Sequence, residues 1–182
     1  SKAPYKEPEP NLVYGTKTWP GSATALVKKD GRWRIDPYDF DEFMQTCKAS
    51  GAEPVIVITY NPLHWEQADG INKPDKEKIV ENARQWVHYA NVVKKYNVKY
   101  WEIGNETWLN QKESNGWNIK RIEPEIYGGD IPDISKAMKA VDSTIFIGVT
   151  GDLENYWRTV LDLSAKYIDF LSVHSYPLYF WK

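Results

Sequence analysis

Asn105 and Glu106 stand side by side directly after a run of β-branched and aromatic residues, VKYWEIG at 98–104. An amide next to a carboxyl group combines two abilities. The carboxyl can give a proton to a departing oxygen and later take one from water, provided its surroundings raise its pKa toward neutrality. The amide can hydrogen-bond a hydroxyl as donor and as acceptor. Trp101 and Trp108 lie close by in sequence and are apolar enough to supply the desolvation that such a shift needs. The plainer interpretation is that Asn-Glu only opens a solvated loop, so the elements around the pair must decide.

Two further strand-like runs end on polar and aromatic residues. EPVIVITY at 53–60 leads into Tyr60 and Asn61, and IDFLSVHSYP at 168–177 carries His174 and Tyr176. Residues two apart on a strand point the same way, so His174 and Tyr176 share a face. Each has a bland alternative, a turn for Tyr60 and Asn61 and a structural histidine for His174. His64 and His88 have no partner at ligand spacing and read as structural. Asn105-Glu106-Thr107 matches a glycosylation sequon, but a glycan there would block the site that Glu106 needs. No zinc spacing, phosphate loop, nucleophile-elbow serine or catalytic-cysteine pattern occurs, so neither metal nor other cofactor is implied.

Composition narrows the rest. The 182 residues suffice for one domain with a sizeable core. A formal net charge of -2 and the lack of a Lys/Arg stripe give no footprint for nucleic acid. No apolar run reaches the roughly 20 residues of a membrane span. Residues 1–10, SKAPYKEPEP, read as a flexible lead-in, leaving 11–182 as the domain. Nine Trp and twelve Tyr are many; aromatic faces stack on sugars, and they also fill cores.

The elements that must position these residues alternate between helix and strand. A helix is expected from Asp36 as N-cap with Pro37 at its first position, an apolar stripe of Phe40, Phe43, Met44 and Cys47, and a stop at Gly51. After EPVIVITY, a long helix from Pro74 buries Ile79, Ala83, Trp86, Ala90 and Val93. Residues 109–130 read as a long polar loop, of the kind that is usually functional. PDISKAMKAV is a helix, TIFIGVT a strand, NYWRTVLDLSAKY a helix and IDFLSVHSYP a strand. This order implies parallel strands joined by right-handed crossovers, in a doubly wound sheet or a (β/α)8 barrel. A doubly wound nucleotide binder would carry a Gly-rich turn after its first strand, and none is present. Polar residues beyond three strand ends are instead how a TIM-barrel enzyme builds its mouth.

The runs FDEFMQTCKASGAEPVIVITYN, ARQWVHYANVVKKYNVKYWEIGNE, ISKAMKAVDSTIFIGV and YIDFLSVHSYP resemble, in order and spacing, the α-L-arabinofuranosidases of glycoside hydrolase family 51, and more distantly other clan A barrels. The resemblance spans about residues 38 to 177. It implies that Glu106 is the acid/base of a retaining glycosidase, that Asn105 contacts the sugar hydroxyl next to the anomeric carbon, and that Tyr176 assists the nucleophile. Tyr60, Asn61, Trp108 and His174 are expected to line the substrate site. The family's nucleophile is a Glu closing the seventh strand, and this chain reaches only the sixth, so the barrel is incomplete as given. The chain is then the middle of a longer enzyme, or a natural partial barrel. The expected substrate is a plant or algal oligo- or polysaccharide, selected by loops such as 61–73 and 109–130, the latter carrying Trp117. The alternative is a non-catalytic sugar-binding module or pseudoenzyme. Either way, open sheet edges call for the rest of a barrel or another chain to cover them.

Overall fold

The computed structural model describes residues 24–29, 32–37, 40–61, 76–112, 118–119 and 121–174. Four parallel strands form its main sheet: β3 (Val55–Ile58), β4 (Tyr100–Ile103), β7 (Phe146–Gly151) and β8 (Phe170–Val173). Their order in space is their order along the chain, β3-β4-β7-β8. A doubly wound sheet reverses strand order at its switch point, whereas a barrel adds each strand beside the last. Helices α2 (Lys76–Val87), α3 (Pro124–Val141) and α4 (Glu154–Ser164) connect the strands and cover one face. Two antiparallel pairs stand apart from the sheet: β1 (Thr24–Lys29) with β2 (Arg32–Pro37), and β5 (Gln111–Lys112) with β6 (Asn118–Ile119).

Strand alternation assigns the two faces. Ile56 and Ile58 of β3, Trp101 and Ile103 of β4, and Ile147 and Val149 of β7 are buried beneath the helices. Their neighbours form rows across the opposite, inner face. Val55, Tyr100 and Phe146 are in register, and so are Val57, Glu102, Gly148 and Phe170. Tyr100 stacks on Phe146 with centroids 5.4 Å apart and meets Phe170 edge-on. Gly148 is required here, because a Cβ would lie 2.2 Å from the Phe170 ring. One row higher, Thr150 is opposite Ser172. Inward-pointing side chains from the strands are what fill a barrel interior.

α1 (Phe40–Ser50) precedes β3 and ends as expected, at Gly51 with φ +71. Ala52 N–H donates to the Cys47 carbonyl at 2.9 Å and closes the turn. Its start differs from the expectation. Asp36 and Pro37 belong to β2, paired with Ala25 and Thr24, and the helix begins at Phe40. An Asp-Pro pair suits a helix start, but proline is equally tolerated at the end of a two-stranded ribbon. A second difference lies after α2, where the chain widens into a π-helical segment, His88–Val93. Its longer turn carries Val93 off the apolar stripe, leaving it 57% exposed, while Ala90 stays buried.

α3 starts eight residues before Pro132, so the proline read as a helix start sits inside the helix. Pro124 takes the first-turn position instead, where a missing N–H costs nothing. Gly128 lets α3 approach α4 closely: a Cβ there would come within 3.1 Å of Val160 Cα. The long loop after β4 is correspondingly shorter and contains the β5–β6 pair.

Asp41 fastens the lower end of α1 to the π-helical segment. It accepts hydrogen bonds from Tyr89 at 2.9 Å, Tyr96 at 2.8 Å and Lys94 at 2.7 Å. Burial and the nearby carboxylate push the Tyr96 hydroxyl up to about 12. Asp41→Ala removes the shared acceptor of these three donors and is expected to lower stability by about 2–4 kcal/mol. Urea unfolding of the polypeptide carrying this chain measures it.

Candidate active site

The strand end at β4 is shaped by Gly104. Its N–H continues the ladder to the Ile58 carbonyl at 3.0 Å, and its φ of +74 turns the chain out of the sheet. A Cβ at this position would lie 2.7 Å from Asn61 Oδ1 and 3.0 Å from Thr107 Cγ2. Asn61 needs that proximity. Its Oδ1 accepts from the Asn105 N–H at 3.0 Å and its Nδ2 donates to the Asn105 carbonyl. The side-chain amide thus pairs with Asn105 as a neighbouring strand would. Asn61 is 7% exposed, so it acts as a clamp on the backbone, and the Asn105 side chain is left exposed.

Glu106 follows with φ +48, a conformation costly for a residue with a Cβ and often found at functional sites. Its carbonyl accepts from the Leu109 N–H at 3.0 Å and closes a turn. Thr107 then points inward and is 1% exposed. Tyr156 of α4 lies 2.8 Å from Thr107 Oγ1 and 3.1 Å from the Ile122 carbonyl. The carbonyl can only accept, so Tyr156 donates to it and Thr107 donates to Tyr156. Ile122 N–H also donates to the Thr107 carbonyl at 2.9 Å, so one tyrosine joins both ends of the 107–122 loop. Burial pushes the Tyr156 hydroxyl up to about 12. Tyr156→Phe keeps the ring but loses both bonds; we expect about 1–3 kcal/mol lower stability by thermal unfolding, with the loop more readily cleaved by protease.

Tyr60 does not join this mouth. It is wholly buried, packs on Tyr127 with centroids 5.2 Å apart, and donates to Asp130 of α3 at 2.8 Å. Parity explains the correction: Ile56, Ile58 and Tyr60 alternate onto the face that the helices cover. Burial and the Asp130 carboxylate drive its hydroxyl far above the ordinary tyrosine range. Tyr127 donates to the Ile103 carbonyl and accepts from the Thr150 N–H at 3.2 Å, tying the ends of β4 and β7 together.

His174, at the end of β8, does meet Glu106. Its Nδ1 lies 3.0 Å from Glu106 Oε1, and both side chains are about a quarter exposed. Trp108 contacts the imidazole edge-on, with centroids 5.5 Å apart at 86°. The structure therefore brings Asn105, Glu106, Trp108 and His174 to one mouth, with Asn61 behind them. Tyr176 and His64 lie outside the described residues, and His88 is exposed on the helical side. The His174 imidazole against Oε1 orients the Glu106 carboxyl.

Residues 21–178 match the family described as the alpha-L-arabinofuranosidase 1 domain. The chain belongs to this family. Among its curated relatives, the probable alpha-L-arabinofuranosidase C of Aspergillus terreus is 27% identical over 158 residues, covering 76% of this chain and 29% of the relative. The intracellular exo-alpha-(1->5)-L-arabinofuranosidase of Acetivibrio thermocellus is 26% identical over 161 residues, covering 81% and 30%. The chain thus spans under a third of the length of these relatives. The crystal structure of the alpha-L-arabinofuranosidase from Thermotoga maritima, an arabinose complex, superposes with a TM-score of 0.58 at 25% identity, covering 79% of this chain and 29% of that one. A psychrophilic family 10 endo-beta-1,4-xylanase shares the fold at 16% identity, with a TM-score of 0.50 and coverage of 81% and 51%. The four-stranded sheet is an arc of a (β/α) barrel.

One carboxyl of this arabinofuranosidase-family chain went unnoticed in the sequence. Glu102 lies two residues before Gly104, on the inward parity of β4, and is 6% exposed. Burial raises its pKa above the usual carboxylate range; a hydrogen bond from Ser172 and the nearby His174 oppose the shift. The signal is strand parity: positions 100 and 102 of β4 share the inner face, so a carboxyl at 102 points into the barrel. No three His, Cys, Asp or Glu side chains cluster as a metal site among the described residues, and no described helix is long and apolar enough to cross a membrane.

Proposed function

We propose that this chain is the acid/base-bearing arc of a retaining glycoside hydrolase that cleaves α-L-arabinofuranosyl linkages in an oligo- or polysaccharide. The observation that carries the proposal is the Glu106 carboxyl at the mouth of the barrel arc, held by His174 and flanked by the exposed Asn105 amide. In the first half-reaction Glu106 protonates the leaving oxygen while a carboxylate from a strand other than the four described attacks the anomeric carbon. In the second, Glu106 takes a proton from the water that releases the sugar. Asn105 hydrogen-bonds a hydroxyl of the bound sugar, and Trp108 offers an apolar face beside it.

Both edges of the sheet also need neighbours. Val55 and Val57 are about half exposed on edge strand β3, as are Leu171 and, more so, Val173 on edge strand β8. Further strands and helices of the same barrel, or of a second chain, cover them. The polypeptide carrying this chain is expected to hydrolyse 4-nitrophenyl α-L-arabinofuranoside. Arabinose binding by calorimetry without turnover across a panel of aryl glycosides would instead make it a sugar-binding module.

A further inference from the structure

The inner face of the arc carries two buried polar atoms that the described residues leave unsatisfied. Glu102 is 6% exposed and its Oε1 has no hydrogen-bond partner; Thr150 is wholly buried and its Oγ1 has none either. Both have the inward parity of their strands, since Glu102 is in register with Gly148 and Thr150 follows two residues later on β7. They therefore face the barrel interior from adjacent strands, one row apart. The neighbours in the row of Glu102 are Val57, Gly148 and Phe170, none of which has a side-chain donor. Ser172 of β8 hydrogen-bonds the carboxyl, yet Oε1 is left over. The titratable groups near Glu102 are His174 from β8 and the Tyr127 hydroxyl from α3; no described lysine or arginine pairs with it.

The two orphaned atoms share one requirement. A carboxylate oxygen only accepts, and a threonine oxygen can accept as well, so a single group with several N–H donors and no acceptor serves both. Lysine and arginine side chains are such groups. A layer inside a (β/α) barrel takes four side chains from alternate strands. Glu102 of β4 and Ser172 of β8 come from alternate strands of the sheet, so two places in such a layer belong to strands outside the described four. We propose that a lysine or arginine pointing inward from one of those strands pairs with Glu102 Oε1 and donates to Thr150 Oγ1. This buried ion pair joins β4, the strand that leads to Glu106, to the facing wall of the barrel. The inner face is then an interface that selects its complement by charge as well as by apolar area, because a facing wall without a cation would leave the carboxylate unmatched. The inference rests on completion of the arc by the rest of the same polypeptide, and it does not use the acid/base role of Glu106.

The test uses that complete polypeptide. Its crystal structure is expected to place a lysine or arginine nitrogen within about 3.2 Å of Glu102 Oε1. A water, an apolar side chain or a carbonyl oxygen against Oε1 would overturn the proposal. Thermal unfolding reads the same pairing in solution. E102Q keeps the shape of the side chain and removes its charge, which leaves a buried cation unmatched, so Tm should fall by roughly 5–10 °C. T150V removes one acceptor at nearly constant volume, and Tm should fall by a smaller amount, about 1–3 °C. Were Glu102 a neutral acid, glutamine would replace it with Tm unchanged; were the Thr150 hydroxyl without a partner in the complete barrel, valine would raise Tm. Either result contradicts the proposal, and if E102Q does not fold, the structure of the unaltered polypeptide decides. Failure of the acid/base reading shows in the kinetics of Glu106 variants and leaves these readouts unmoved, so the two failures are distinguishable.

Discussion

Glu106→Ala is expected to lower kcat/KM by about 10²–10⁴-fold on substrates whose leaving group needs protonation. The loss should shrink sharply on aryl arabinosides with acidic phenols, because a good leaving group departs without a proton. For those substrates the second half-reaction becomes limiting, since the missing carboxylate can no longer activate water. The prediction follows from the position of Glu106, one oxygen held at 3.0 Å by His174 and the residue set apart from the sheet by the turn at Gly104. Steady-state kinetics across a series of phenols of graded acidity measure it. An equal loss on every leaving group would point to lost binding or folding and not to proton transfer.

The second large effect comes from the turn. Gly104→Ala forces a Cβ to within 2.7 Å of Asn61 Oδ1 at a φ of +74, so Asn61 must release the Asn105 backbone. Backbone strain and the lost pair together are expected to cost about 2–4 kcal/mol of stability and to reduce activity as Asn105 and Glu106 shift. Gly51→Ala is the control. Its φ of +71 is nearly the same, but no atom lies within 4 Å of the added Cβ. Only the backbone term of about 1 kcal/mol should remain there, with activity intact. Denaturant unfolding of both variants separates strain from collision. Equal losses in the two would show that the Asn61 clamp contributes nothing.

Much of this architecture is legible in the residues because periodicity and turn chemistry are local. Short apolar runs such as VIVI and TIFIGV, separated by amphipathic helices, give the parallel order, and Gly51 gives the end of α1. The differences arise where a decision depends on a distant partner. Asp36 and Pro37 fit a helix start until Thr24 and Ala25 pair with them. Val93 fits the stripe of α2 until a π-helical turn rotates it away. Pro132 reads as a start because a proline inside a helix is costly, and here the helix begins earlier at Pro124.

The site divides in the same way. Asn105 and Glu106 were visible because a strand ending on an amide and a carboxyl is unusual, and His174 because it ends another strand. Tyr60 lies just beyond a strand, as a mouth residue would, but its parity counted from Ile56 sends it into the helices. The same count applied to β4 would have exposed Glu102. What no count supplies is the pairing of Glu106 with His174 across 68 residues of sequence, which exists only once β4, β7 and β8 lie side by side.

Azide rescue of Glu106→Ala tests the central assignment most directly. With an activated aryl arabinoside, the variant of the complete polypeptide should accumulate a glycosyl-enzyme that water attacks slowly. Azide needs no general base, so it should restore turnover and yield the arabinosyl azide with retained configuration, detectable by NMR. Wild-type-like turnover of the variant without azide, or a slow variant that azide neither accelerates nor converts to the glycosyl azide, would contradict the role of Glu106.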